Sequence, residues 1–457
     1  MMPLRLLLRF ALLSLAFTSA VQAAGTLVSG PMLGYQSHRE VLIWVETQGA
    51  KSVVLEYQLK GQPETAQRLT KNRPRVTPAG VQPMKFVLPL LAPASNYEYS
   101  VSIDGVKQTF PYPLVFHTRT QWEYRTPPPD FKFIFGSCAY LNDPPYDRPG
   151  KPYGQGTEIF GAMARSGADF MIWGGDNWYL READFSSESG IWSRYSHDRA
   201  TPDLQPLYAA MPHYATWDDH DYGSNDANKS FEFKDVTLAA FKAYWGNATW
   251  GEADNPGVYG KFFWGDAAFF LMDNRWYRDD DHLEPSAATG MKTQYGARQR
   301  DWLKQSLLAA QTLGHFKWKF IVTGGQVITD FGGWSETFAY YPEERADLIK
   351  FIVEHKITGV VILSGDVHFT ELARKKISGS QWLYELTSSP FSAGPSTGAK
   401  KERAADPHRV EGTQVVDVNY CTLGLSGAKD ARVLTIACHD RTGATLWERT
   451  IAESELK

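Results

Sequence analysis

Four apolar runs of this sequence each end in side chains that commonly bind metal ions. The runs read FKFIFGSC, FMIWGGDNWY, HYATWDDHDYGSND and VVILSGDVHF. A buried strand that ends in Asp, His, Cys or Tyr places those groups at the edge of a sheet, where ligands bind. Four such runs in one chain predict a single metal-centred active site drawn from distant parts of the sequence. The candidate residues are Cys138, Asp176, Tyr179, Asp218, Asp219, His220, Asn225, Asp366 and His368.

The spacing within the clusters fits coordination of a shared centre. Asp176 and Tyr179 are three positions apart and follow two glycines, so a turn can bring carboxylate and phenolate together while the backbone approaches closely. Asp366 and His368 are two positions apart, so on an extended segment they face the same side. The acidic residues around His220 repel one another unless a cation or hydrogen bonds compensate their charge.

The residue types indicate which metals fit. Carboxylate, phenolate and thiolate together favour Fe3+, with Ca2+ or another hard divalent ion beside it. A site for zinc alone would show more His or Cys and has no need of a phenolate.

Each cluster also has a plainer explanation. Alone, the Asp-Asp-His-Asp run is compatible with a solvated turn, Tyr179 with a core tyrosine, and His220 with a hydrogen bond to a carboxylate. Their joint occurrence, each directly after an apolar run, favours the metal site.

The elements that position these groups follow two patterns. Residues 26–118 contain short alternating runs such as EVLIWVET and YEYSVSI, which are typical of a small all-β sandwich of immunoglobulin or fibronectin type. Residues 119–130 include three consecutive prolines and form a predicted linker. Residues 131–457 alternate strands with helices, which predicts a layered α/β catalytic domain. Helical periodicity occurs at 159–165, 233–244, 298–311 and 343–355.

Composition and the N-terminus bound the cellular context. The chain has 457 residues and a net charge of −4, with no basic block that would neutralise nucleic-acid phosphates. Residues 1–23 combine early arginines, a short apolar stretch and small residues, which predicts a signal peptide cleaved after Ala23. No apolar run reaches the ~20 residues of a membrane span. We therefore expect a periplasmic or secreted protein without a transmembrane segment.

Three cysteines need an explanation in an exported chain. Cys421 and Cys438 lie in two strand-like runs, so they form either a disulfide or two buried thiols. Cys138 is the odd one out, and metal ligation is the role we favour for it.

The ordered motifs resemble a known family. GSC, GGDNWY, WDDHDYGSND, FLMDNRWYR, YGARQRDWL and SGDVH, together with the opening GPMLGY, are similar to the PhoD-type alkaline phosphatase family of metallophosphoesterases. The similarity covers nearly the whole mature chain. It implies a four-layer α/β core, in which two packed sheets are flanked by helices, preceded by the sandwich. Asn177 and Trp178 depart from the family's pattern at positions that bear on substrate preference.

The resemblance also implies roles for individual residues. Cys138, Asp176, Tyr179 and His368 would hold Fe3+, with Asp176 bridging to one or two Ca2+ ions. Asp366 would serve calcium, and Asp219 and Asn225 compete for a further ligand position. His220 would contact the substrate phosphate or protonate the leaving oxygen.

The expected function is hydrolysis of small-molecule phosphate esters by a monomeric enzyme, through in-line attack of a metal-activated water on phosphorus. Arg275 and Arg278 would either stabilise the phosphoryl charge or form structural ion pairs. A phospholipase-like diesterase that acts on lipid head groups is the alternative activity. A non-catalytic, metal-stabilised binding protein is the third possibility.

Overall fold

The structure is a computed structural model that describes residues 25–286, 290–332, 335–398 and 406–457. The predicted signal peptide, residues 1–23, lies outside the described residues. Within the described ranges, no helix combines the length and the apolar character needed to cross a membrane.

The N-terminal part is a β-sandwich. One sheet has three strands in the order β1-β2-β5, and the second has the order β4-β3-β6-β7, with β8 also pairing with β6. Strand β6 alternates buried and half-buried residues, because one face packs against the other sheet. The strands are β1 (Thr26–Gln36), β2 (Val41–Gln48), β3 (Ser52–Leu59), β4 (Gln67–Asn72), β5 (Gln82–Leu88), β6 (Asn96–Ile103), β7 (Val106–Lys107) and β8 (Val115–His117).

The following α/β core contains two six-stranded mixed sheets. The first has the order β11-β10-β9-β18-β19-β20 and the second the order β12-β13-β14-β15-β17-β16. Its strands are β9 (Phe131–Gly136), β10 (Phe170–Gly174), β11 (His213–Thr216), β12 (Gly260–Trp264), β13 (Ala267–Leu271), β14 (Trp318–Val322), β15 (Val360–Ser364), β16 (Glu371–Ser378), β17 (Gln381–Thr387), β18 (Asn419–Ser426), β19 (Val433–Asp440) and β20 (Thr445–Ala452). The helices are α1 (Glu158–Ala164), α2 (Glu188–Arg199), α3 (Gln205–Ala210), α4 (Asp219–Tyr222), α5 (Lys234–Tyr244), α6 (Gly296–Leu313) and α7 (Pro342–Glu354).

The two sheets and the helices form four layers, because the central strands have apolar residues on both faces. Strands β10, β13 and β15 are buried along their whole length, as expected for strands covered on both sides. The sheets meet through aromatic rings, such as Phe133 of the first sheet and Phe320 of the second, whose centroids lie 5.4 Å apart. Helices α1, α3 and α5 cover the outer face of the first sheet, and α6 and α7 cover that of the second. The predicted four-layer core with a preceding sandwich is confirmed.

Cys421 and Cys438 face each other across strands β18 and β19. Both are buried free thiols in this structure. Of the two alternatives that the sequence left open, the structure has the two buried thiols, in register on neighbouring antiparallel strands.

Candidate metal centre

The four ligand-bearing segments meet where the carboxyl ends of the two central sheets open. Strands β9, β10 and β11 are parallel neighbours, and they lead into Cys138, Asp176 and Asp219 respectively. Strand β15 of the other sheet leads into Asp366 and His368. Parallel strands place their carboxyl ends at one edge, so residues far apart in sequence converge there.

The first ligand group combines thiolate, carboxylate, imidazole and phenol. Ligand atoms of Cys138, Asp176 and His368 all lie within 4.8 Å of one another. Cys138 Sγ is 3.6 Å from Asp176 Oδ2, and Tyr179 Oη is 3.2 Å from His368 Nε2. Cys138, Asp176 and Tyr179 are buried, and His368 is half-buried. This is the set that the sequence predicts for Fe3+.

His368 is held in the tautomer that a metal ligand requires. Its Nδ1 lies 2.6 Å from the carbonyl oxygen of Gly394, an acceptor, so the proton sits on Nδ1. The Nε2 lone pair then faces the hydroxyl of Tyr179, 3.2 Å away. Burial lowers the pKa of His368 to about 4, which keeps the ring neutral and able to ligate. The hydroxyl of Tyr153 also lies 3.0 Å from Nδ1.

A second ligand group adjoins the first. Asp218, Asp219 and Asp366 offer carboxylate oxygens within 4.8 Å of one another, and so do Asp176, Asp219 and His220 through their ligand atoms. Asp176 belongs to both the thiolate group and an acidic group, which is the position of a bridging ligand.

Asp219 is the most connected of the carboxylates, because it also groups with Asp226 and Glu336. Asn225 is exposed on the loop after α4, directly before Asp226, whose amide donates to Asp219 Oδ2 at 2.8 Å. The contacts thus put Asp219 inside the cluster and Asn225 at its rim.

The acidic groups of the site are unfavourable in their ionised form unless cations are bound beside them. Burial and the charges of neighbouring Asp residues raise the pKa values of Asp176 and Asp366 well above the ordinary range. Burial and the Asp176 charge do the same to the Cys138 thiol. For Asp219 the effect of burial is outweighed by His220 and Arg275, so its pKa is lowered. Bound cations would favour the ionised form of every one of these groups.

Several buried atoms of the site also lack hydrogen-bond partners among the described residues. They are Asp218 Oδ2, Asp219 Oδ1 and His220 Nδ1. A buried polar atom without a partner costs about 1–3 kcal/mol. Coordination to a cation would satisfy the two carboxylate oxygens, so the residues present fit the predicted metals.

Four of the predicted ligands have left-handed backbone conformations. Their φ angles are 62° for Cys138, 50° for Asp176, 69° for Asp366 and 55° for His368. For residues other than glycine this region costs roughly 1–2 kcal/mol each. The chain tolerates this strain where the turns after β9, β10 and β15 must bend sharply to aim ligands at one point.

Arg275 and Arg278 lie beside the site in buried ion pairs. Arg275 is fully buried and pairs with Asp218 and Glu336. Arg278 pairs with Asp281 and with Glu336, at 2.7 and 3.1 Å. Their guanidinium groups are committed to carboxylates, so the contacts support the structural role that the sequence left open.

Sequence reasoning missed Asp221, which joins two ligand-bearing loops. Its Oδ1 accepts from the amide of Asn177 at 3.0 Å, and its Oδ2 accepts from the amide of Asp218 at 2.9 Å. We call residues 175–179 the metal loop. Tyr153 and Gly394 were also missed, because nothing local in the sequence signals their contact with His368.

The fold and the site define a metallophosphoesterase, and comparison with known proteins narrows the class. The family profile described as PhoD-like phosphatase matches residues 133–438. The chain belongs to this family.

Individual relatives agree with that assignment. An alignment 204 positions long is 30% identical to alkaline phosphatase D of Bacillus subtilis (strain 168). It covers 38% of this chain and 34% of that relative, so the match spans about a third of the relative's length. A solved structure of PhoD superposes with a TM-score of 0.72 at 17% identity, covering 92% of this chain and 91% of that one. The purple acid phosphatase PPD1 from yellow lupin (Lupinus luteus) seeds gives 0.62 at 12% identity, covering 92% and 74%. These two structures establish the fold.

Proposed function

We propose that the protein is an exported, metal-dependent phosphoric ester hydrolase that acts on small-molecule phosphate esters. The observation that carries the proposal is the convergence of Cys138, Asp176, Tyr179 and His368, with their ligand atoms turned toward one another. A thiol and a phenol in one buried polar group have no use in a scaffold but suit a trivalent metal. Family membership supplies the reaction class.

Cys138, Asp176, Tyr179 and His368 would hold Fe3+, and Asp176, Asp219 and Asp366 would hold Ca2+, with Asn225 at the rim as a further candidate. When bound, the cations supply Lewis-acid stabilisation of phosphoryl oxygens and lower the pKa of a bound water.

His220 is the residue we assign to the proton transfer. Its ring packs on Tyr179 with centroids 4.2 Å apart, and its side chain keeps 19% exposure, so one edge reaches the solvent side of the cluster. Its backbone amide donates to Asp176 Oδ1 at 3.3 Å, which anchors the main chain of His220 beside the ligands. From there the imidazole can bind a phosphoryl oxygen or pass a proton to the leaving oxygen.

Localisation outside the cytoplasm rests on the sequence of residues 1–23. Its test is N-terminal sequencing of protein from the periplasm and medium of an expressing bacterium. A mature chain beginning at Ala24 is the expected result, and an intact Met1 in the cytoplasm would contradict export.

The decisive experiment measures metal content, visible absorption and turnover on one preparation. We expect iron and calcium in the purified protein and a broad charge-transfer band from thiolate and phenolate bound to Fe3+. Tyr179→Phe and Cys138→Ser should each alter that band and lower kcat at least a hundredfold. Cys421→Ser, which changes another buried thiol that belongs to none of the ligand groups, is the matched control and should leave both unchanged.

Substrate preference is read from the same preparation. Turnover of p-nitrophenyl phosphate is compared with that of bis-p-nitrophenyl phosphate and of a phosphatidylcholine vesicle. A colourless, fully active protein that contains only zinc would reject the iron assignment and leave hydrolysis standing. Absence of turnover on every ester, with full metal content, would reject the hydrolase.

A further inference from the structure

Arg199, the last residue of α2, carries a fully buried guanidinium that is enclosed by aromatic rings and has no ion pair among the described residues, although its charge also acts on the buried carboxyl of Glu46. Its Nη2 donates to the carbonyl of Tyr244 at 2.6 Å, and its Nη1 lies 3.3 Å from the sulfur of Met32. A desolvated cation is stabilised strongly by ring faces, so the rings and the cation fix one another's positions. The ring centroids lie 3.8 Å (Trp245), 4.8 Å (Tyr208), 5.3 Å (Trp178) and 5.4 Å (Trp44) from the guanidinium carbon.

The rings that enclose Arg199 come from different parts of the molecule. Trp44 belongs to strand β2 of the sandwich, and Met32 belongs to β1. Trp178 belongs to the metal loop. The indole nitrogen of Trp44 also donates to the carbonyl of Ala243 at 2.9 Å, so the sandwich residue is itself anchored to the core. Arg199 is therefore a single cation shared between the sandwich and the loop that carries two predicted iron ligands.

Trp178 is placed so that its position matters to the site. It directly precedes Tyr179, whose hydroxyl lies 3.2 Å from His368. Its ring stacks on Trp245, with centroids 5.5 Å apart and planes 20° apart, and contacts Tyr195 at 4.1 Å. A displacement of the Trp178 backbone would move Tyr179 with it, because the two residues share one planar peptide bond.

We propose that Arg199 is a positioning residue of the metal loop, and that the N-terminal sandwich shapes the active site through it. Trp44 and Met32 hold the guanidinium from the sandwich side, and the guanidinium holds Trp178 from the core side. The effect on catalysis rests on the proposed function, whereas the effect on the loop does not. The competing explanation is that Arg199 contributes only to global stability.

The test compares Arg199→Met with Arg432→Met in the full chain. Arg432 is equally buried, but it pairs with Asp266 and the carbonyl of Pro129, away from the ligands. Amide hydrogen exchange of residues 175–180 is measured at a temperature where both variants are folded, with and without added calcium. Exchange in this segment should be at least tenfold faster in Arg199→Met than in wild type, and unchanged in Arg432→Met. With p-nitrophenyl phosphate, kcat should fall at least tenfold in the first variant and KM should change less than twofold.

A second pair of variants alters the contact between Trp44 and Arg199, one at each of the two residues. Trp44→Leu removes the sandwich ring, and Arg199→Lys keeps the charge but loses the planar face. Both should loosen residues 175–180, and they carry the test if Arg199→Met does not fold. The proposal is overturned if the Arg199 and Trp44 variants exchange in this segment no faster than Arg432→Met. A protein that hydrolyses no ester yet shows the loosened loop would reject the hydrolase and support the positioning role.

Discussion

The carboxylate of Asp221 accepts a hydrogen bond from the backbone amide of Asn177 at 3.0 Å. Its second oxygen accepts from the amide of Asp218 at 2.9 Å. One side chain thereby connects the turn after β10, which carries Asp176, to the turn after β11, which carries Asp219. The carbonyl of Asp221 in turn accepts from the hydroxyl of Tyr195 at 2.7 Å, which ties both turns to helix α2.

Asp221→Asn should loosen this connection without changing the size of the side chain. The amide group can accept only one of the two backbone N–H groups and turns its own donor toward the other, which costs about 1–3 kcal/mol. Outer-shell changes of this kind typically lower metal affinity or activity 10–100-fold. We expect a lower calcium affinity by titration and a kcat reduced at least tenfold. The control is Asp440→Asn, which alters an exposed turn that is also held by a carboxylate and should change neither calcium affinity nor kcat. An Asp221→Asn variant with wild-type calcium affinity would show that Asp221 does not support the metal ligands.

Gly324 has a steric reason to be glycine. A β-carbon at this position would overlap the carboxylate of Asp218 and lie 2.5 Å from Nδ2 of Asn274. Both neighbours are buried and hydrogen-bonded to each other, so they cannot move aside freely. Gly324→Ala should therefore destabilise the fold by about 1–3 kcal/mol and lower metal content.

The control is Gly161→Ala in α1, where a β-carbon would meet only the flexible end of Arg165, at 3.3 Å. Alanine at this position should stabilise the helix by up to about 1 kcal/mol. Denaturant unfolding and elemental analysis measure both variants.

The parts of the site that could be predicted are those whose residues lie directly after a strand in the sequence. The clusters after β9, β10, β11 and β15 were found because each follows an apolar strand, and the fold then only had to bring the strand ends together. Helices α5, α6 and α7 were predicted because one face of each is apolar. Helix α2 was missed because its buried face carries Arg194, Asp198 and Arg199, which reads as a solvated segment.

The missed residues share a physical cause. Asp221 reads as one more acid in an acidic run, and its two hydrogen bonds exist only once β10 and β11 pair. Gly394 and Tyr153 reach His368 from loops 26 and 215 residues away. A sequence motif reports side chains that must point at a ligand, whereas supporting contacts depend on the long-range packing of loops.

Removal of metal should cost the protein stability as well as activity. Four buried carboxylates, Asp176, Asp218, Asp219 and Asp221, and the half-buried carboxylate of Asp366 lie in or beside the predicted site. A cation that binds only the folded state adds about 2.7 kcal/mol at a free concentration of a hundred times its Kd. We expect a chelator to lower the thermal midpoint by several degrees and added calcium to restore it. In Asp366→Asn the midpoint should respond less to calcium, and a wild-type midpoint independent of calcium would contradict the second site.

Glu46 gives a pH dependence that is separate from the ligands. Glu46 lies fully buried in β2 of the sandwich. Burial raises its pKa from an ordinary 4.5 to about 7. The hydrogen bonds from Tyr244 and Ser196 and the charge of Arg199 act in the opposite direction but are outweighed. The folded state therefore binds the Glu46 proton more tightly than the unfolded state does. The stability that this proton contributes is complete below pH 4.5 and is lost as the pH rises through about 7, a difference of about 3 kcal/mol.

Glu46→Gln keeps an acceptor for Tyr244 without a charge. Its free energy of unfolding should match wild type near pH 4 and exceed it by up to about 3 kcal/mol at pH 8. Urea unfolding across this range checks the slope, with Glu64→Gln as an exposed glutamate control in the same domain. If the difference in unfolding free energy between Glu46→Gln and wild type were the same at pH 8 as at pH 4, Glu46 would ionise in the folded sandwich as readily as in the unfolded chain, and the prediction would be wrong.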